Sequence, residues 1–249
     1  MRLVDRAEHG RREEAGASGQ ESGEGRTGTG RRGAERAVCI GRGERGLDPL
    51  DGDPADVPVS SGVEWFIGKP GAGKTTLAAA RAAALVSSTG FPVLCIDSAG
   101  VAQLDHIPRA RSLAATLDSV FRLRQHSSFT PSDGEEVETI ARQALDRGQV
   151  ILFVDEAAFW LSSRKNSAPS LLRLMRTHRH SQVHVLLTTQ HFSADVPQEA
   201  ISCAPVLNVF ACESPAVLDR LERDYGLDRA AVKALPRGRY FRVETGFPS

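Results

Sequence analysis

Residues 68–75 read GKPGAGKT, a complete GxxxxGK[ST] pattern, and few eight-residue runs constrain a fold so tightly. The pattern works only where a strand turns sharply into a helix, and its flanks supply both. WFIG before it reads as a buried strand, and TTLAAARAAAL after it is rich in good helix formers. Gly68, Gly71 and Gly73 let the backbone fold round phosphate oxygens with its N–H groups pointing inward, and the helix N-terminus adds partial positive charge. Lys69, Pro70 and Ala72 complete the cradle, and Thr76 continues it into the helix. Lys74 is expected to reach the β and γ phosphates, and the Thr75 hydroxyl to ligate Mg²⁺. The chain is therefore expected to bind ATP with Mg²⁺.

The surrounding pattern fits a sheet that can present such a loop. Strand-like apolar runs recur at 63–67, 92–97, 150–154, 183–189, 205–211 and 240–244, with helical patterns at 74–86, 109–123, 135–145, 170–176 and 215–224. Strands apolar on both faces, alternating with helices, predict an α/β fold with a mainly parallel sheet covered on both sides. In such sheets ligands sit at the carboxyl ends of the strands.

Not all of the chain takes part. Residues 1–58 are dominated by Gly, Arg, Glu, Ser and Asp, too poor in apolar side chains to offset chain entropy, and are expected to form a disordered tail. Residues 59–249 have the length of a single domain and carry nearly all the apolar periodicity. The 31 Lys plus Arg balance 31 Asp plus Glu, so no global field draws the protein to polyanions, and any such contact must be local. No run approaches the ~20 apolar residues of a membrane span, and the charged start offers no signal-peptide core. A cytoplasmic site of action is expected. Cys39, Cys95, Cys203 and Cys212 lack metal-type spacing and read as reduced structural thiols.

Polar residues at the strand ends carry the chemistry. Residues 150–154, VILFV, run into Asp155 and Glu156, a Walker B pattern. Asp155 is placed to hold Mg²⁺ through its water shell, and Glu156 to polarise the water that attacks the γ phosphate. The same pair could instead cap a helix starting near Ala157. The run 183–187 ends in Thr188, Thr189 and Gln190, and a neutral amide there can hydrogen-bond both the γ phosphate and the lytic water. Between these strands lies LLRLMRTHRH, residues 171–180. From it an arginine offered to a neighbouring subunit could stabilise transition-state charge, with Arg179 the first candidate and Arg176 the second. Ordinary surface arginines on an amphipathic helix fit the same pattern. His178, His180, His184 and His191 cluster nearby without the partners or spacing of a zinc site. Phe192 and Tyr240 are loose candidates for stacking on adenine.

Taken with GKPGAGKTT and VILFVDEA, residues 179–221 resemble the FtsK and HerA superfamily of motor ATPases, in which an Arg precedes an apolar strand ending in TQ. The resemblance spans 63–243. It implies a RecA-like (ASCE) P-loop fold in which the strand bearing Gln190 lies between the phosphate-loop strand and the Walker B strand. It also implies a ring, usually a hexamer, with ATP sites between subunits and a pore gripping double-stranded DNA. Lys74, Glu156, Gln190 and Arg179 would then be catalytic, and Thr75 and Asp155 would hold the metal. The membrane helices and winged-helix domain of FtsK-type translocases and the N-terminal barrel of HerA are not found in the sequence. A chain of this size is most similar to the genome-packaging ATPases of membrane-containing double-stranded DNA viruses and phages, acting in the host cytoplasm or with the virion. Capsid-vertex or membrane-tethering proteins would dock it. Zonula-occludens-toxin-like assembly ATPases of filamentous phages share the DEA, arginine and TQ features but typically carry a membrane helix. Extrusion or conjugative-type DNA transfer is thus the alternative reading. A small-molecule kinase needs neither the adjacent acids nor the TTQ tip, and an ATP-gated assembly factor does not need Glu156. A polar segment at 162–167, with Arg164 and Lys165, could meet DNA phosphates in the pore or simply be solvated.

Overall fold

A computed structural model describes residues 62–98, 107–162, 167–192 and 196–244. The tail at 1–58 and Arg164 and Lys165 lie outside the described residues. Seven strands form one sheet: β1 (Val63–Ile67), β2 (Val93–Ile96), β3 (Ser127–Phe129), β4 (Val150–Val154), β5 (Val183–Thr189), β6 (Val206–Val209) and β7 (Phe241–Glu244). The order across the sheet is β3-β2-β4-β5-β1-β6-β7, and only β7 runs antiparallel to its neighbour. The strand that ends before Gln190 therefore lies between the phosphate-loop strand and the strand that ends before Asp155, as the resemblance implies.

Among the described residues, eight α-helices connect and cover the strands: α1 (Lys74–Thr89), α2 (Leu113–Leu117), α3 (Gly134–Arg147), α4 (Ala158–Leu161), α5 (Pro169–Ser181), α6 (Gln198–Ser202), α7 (Pro215–Tyr225) and α8 (Arg229–Ala234). The helix expected over 109–123 is shorter, because α2 passes into a π-helical stretch at Asp118–Arg122. The helix expected at 170–176 continues to Ser181, where Gln182 in the left-handed conformation stops it. Alternation along β1 divides the core into two layers. Val63, Trp65 and Ile67 face the apolar sides of α3, α5 and α7, while Phe66 faces Leu77, Ala78 and Leu85 of α1. Ala78 and Ala82 of α1 are buried in that second layer, which seats the helix that follows the phosphate loop against the sheet. No helix among the described residues is long and apolar enough to cross a membrane.

The α1 layer is not wholly apolar. Glu64, 1% exposed in the middle of β1, accepts a 2.5 Å hydrogen bond from Arg81 of α1 and lies 3.6 Å from Arg242 of β7. Arg242 also donates to Asn208 of β6 at 3.3 Å. Charges this deep persist only when paired and hydrogen-bonded, so the group ties the phosphate-loop strand, its helix and the last strand into one unit.

Candidate functional site

The chain leaves β1 at Gly68, whose N–H donates to Thr189 O at 3.2 Å, and Lys69 N–H donates to Ala211 O at 2.8 Å. The loop is thereby stitched to the ends of both flanking strands. Gly73 turns it into α1 with φ 110°, and a Cβ there would lie 3.3 Å from the Gly238 backbone, so only glycine meets both demands. Lys74 bends back over the loop, its Nζ 3.0 Å from Lys69 O. Burial holds its ammonium below the ordinary lysine range, and the carboxylates of Glu156 and Asp155 oppose that shift. A cationic group facing two acids across a cradle of backbone amides fits a magnesium-bound polyphosphate. Thr75, partly buried, and Asp155 would be the residues to offer the hard oxygen donors such a cation takes.

The two acids are fixed by a residue that the sequence did not single out for this role. Thr188, fully buried on β5, donates to Asp155 Oδ1 at 2.6 Å and accepts from the Glu156 N–H at 3.2 Å. One hydroxyl therefore sets both the carboxylate orientation of Asp155 and the backbone position of Glu156. The signal was present as the TTQ tip, but its meaning depends on β5 lying beside β4. Glu156 has φ 48°, a left-handed conformation uncommon for a non-glycine residue, and its Oε2 accepts from the Gln190 N–H at 3.2 Å. Gln190 thus meets Glu156 through its main chain, leaving its half-exposed side-chain amide for other partners. Just beyond β2, Ser98 donates its hydroxyl to Asp155 O and accepts from Trp160 Nε1 at 2.7 Å, bracing the acid pair from the opposite side.

Other sequence candidates fall elsewhere. Lys69 pairs with Glu213 at 2.7 Å on the rim of the loop. Cys212, near Lys74, is buried, and burial pushes its thiol up to about 12, so it is no nucleophile. Arg179 is exposed in the last turn of α5, immediately before β5 begins. The length of that strand, about 20 Å at ~3.3 Å per residue, separates it from the phosphate loop, so it cannot serve its own site. Arg176 is ion-paired with Glu199. His178 and His184 are buried at the same remote end of the sheet, and no cluster of three or more His, Cys, Asp or Glu able to hold a metal occurs among the described residues. Neither aromatic candidate is free to stack on a base. Phe192 packs edge-on against Trp65 in the core, and Tyr240 is buried against Phe210.

No curated protein sequence matches the chain. Among solved structures it is similar to the genome packaging NTPase B204 from Sulfolobus turreted icosahedral virus 2 in complex with ATP-gammaS. The two are 16% identical with a TM-score of 0.61, over 75% of this chain and 93% of that one. It is also similar to the pCW3 conjugation coupling protein TcpA, at 14% identity and a TM-score of 0.53, over 75% of this chain and 58% of that one. At such identities these likenesses establish a shared fold alone. Residues 65–209, more than half of the chain and the span from the phosphate-loop strand to β6, match the ATPase family associated with various cellular activities (AAA), and the chain belongs to that family of ATPases.

Proposed function

We propose that this ATPase is a motor that moves double-stranded DNA, acting as a ring and packaging a viral or phage genome. The observation that carries the hydrolytic part is the contact between neighbouring strand tips. Thr188 and the Gln190 amide of β5 hold Asp155 and Glu156 of β4 beside Lys74. In this reading Glu156 takes a proton from water as it attacks the γ phosphate, Lys74 and the loop amides stabilise charge on the phosphate oxygens, and the Gln190 side chain orients the water. Thr75 and Asp155 would hold Mg²⁺, which would neutralise charge on the phosphate oxygens. A kinase would need an acceptor pocket and has no use for an acid such as Glu156 beside the phosphate loop. The DNA substrate is supported by the fold shared with a genome packaging NTPase and a conjugation coupling protein. Arg179, too far from its own phosphate loop, is available to an adjoining subunit, which agrees with a ring in which sites lie between protomers.

The test is steady-state ATP hydrolysis with and without long double-stranded DNA, alongside Glu156→Gln and a sizing measurement in ATP. Stimulation by DNA, loss of turnover by roughly 10²-fold or more in the variant, and an ATP-dependent oligomer are expected. Hydrolysis indifferent to DNA from a protein that stays monomeric would overturn the translocation reading while leaving the ATPase intact.

A further inference from the structure

The two acids and the amide suited to the terminal phosphate come from one side of β1. Asp155 and Glu156 follow β4, and Gln190 follows β5, whereas β6 and β7 lie on the other side. A nucleotide whose γ phosphate faces those acids must carry its sugar and base toward β6 and β7.

The antiparallel sense of β7 determines what the nucleoside meets there. Because β7 runs against the other strands, its beginning lies at the loop end of the sheet, and the turn at residues 236–239 leading into it reaches the loop itself. Arg239 N–H donates to Pro236 O at 3.1 Å, closing a β-turn, and Gly238, with φ 83°, takes the third position that calls for a left-handed residue. Gly238 N–H then donates to Ala72 O of the phosphate loop at 2.9 Å. Buried Leu235 and Tyr240 anchor both ends of the turn, with the Tyr240 ring 5.3 Å from that of Phe210. At the second position of this rigid turn Arg237 is exposed and has no hydrogen bond or ion pair among the described residues.

We infer that the 236–239 turn is the nucleoside-side wall of the ATP site and that the Arg237 guanidinium lies against the nucleobase. The position is next to a residue bonded to the loop, and Phe192 and Tyr240 are buried in the core. A guanidinium is planar and permanently charged, and it stacks on aromatic faces as an ammonium does not. The assignment rests on the phosphate loop being the ATP site and is independent of DNA translocation.

Calorimetric titration with Mg²⁺ and either a non-hydrolysable ATP analogue or inorganic tripolyphosphate tests it. Arg237→Ala is expected to weaken the analogue roughly five- to tenfold, the size of a base-stacking cation, while leaving tripolyphosphate affinity and the thermal midpoint unchanged. Arg237→Lys should recover only part of the loss. An equal loss for both ligands would make Arg237 a phosphate contact, and no loss for either would remove it from the site. Each result overturns the assignment. Lys74→Ala separates this failure from the broader one: it should lose both ligands, and if it kept both, the phosphate-loop reading would fall and the nucleoside wall with it.

Discussion

The two ends of the sheet use the same unusual backbone conformation for different purposes. Arg124, Gln149 and Gln182 are left-handed non-glycine residues, and each sits just before a strand, β3, β4 or β5, at the end remote from the phosphate loop. There the conformation ends a helical segment and turns the chain into a strand, a common device. Glu156 has nearly the same φ at the other end, where it follows a strand and its carboxylate meets the Gln190 amide. The comparison teaches that a strained residue acquires functional meaning from its surroundings. At the amino ends it is surrounded by packing and helix caps, and at the carboxyl ends by a lysine, two acids and a loop of backbone amides.

If that division is correct, substitutions at the amino ends should cost stability and those at the carboxyl ends should cost turnover. The largest effect is expected from Gly148→Ala. Gly148 caps α3 at φ 62° and ψ −165°, a region nearly exclusive to glycine, and a Cβ would lie 2.2 Å from Ser181 O. Denaturant unfolding should show a loss of about 3–4 kcal/mol, while the folded fraction keeps its ATPase rate. Thr188→Val removes the hydroxyl that bridges Asp155 and Glu156 with little change in shape. It should lower kcat about 10²-fold with a much smaller effect on unfolding. A variant that lost only stability would blur the distinction between the ends.

The smallest effect concerns pH. Burial lowers both His178 and His184 below the ordinary value of 6.5, so the unfolded chain binds protons first as pH falls. Stability should therefore be fully present above about pH 6.5 and decline below it until the folded-state values are passed. Thermal midpoints measured from pH 7.5 down to 5.5 should fall less steeply in His184→Gln than in the parent. An unchanged slope would remove His184 from the account.

Much of this was legible in the sequence where local pattern and physical requirement coincide. The phosphate loop must follow a strand and open a helix, and GKPGAGKT does both. The buried strands β1, β4 and β5 are long enough for their apolar runs to stand out. Ser127–Phe129 escaped notice because three residues, two of them serines, carry no periodicity; the strand exists because β2 offers it an edge. Short helices such as α6 and α8 lack the length for a repeating apolar face. In the site, Lys74, Asp155 and Glu156 follow from motif alone. Thr188 as a clamp does not, since its partners become neighbours only once β5 inserts beside β4. The approach of Gly238 to Ala72 depends on β7 reversing direction, which no local pattern announces.

The buried group of Glu64, Arg81 and Arg242 also limits how this sequence can drift. Replacing Glu64 alone leaves two arginines enclosed without the carboxylate they share, at a cost of about 3–5 kcal/mol, comparable to the whole margin of many domains. Replacing the set together with apolar residues of similar volume can be nearly neutral. Descendants of this chain should therefore keep all three charges or lose them together, and the helix behind the phosphate loop inherits its seat through a bargain struck at the far edge of the sheet.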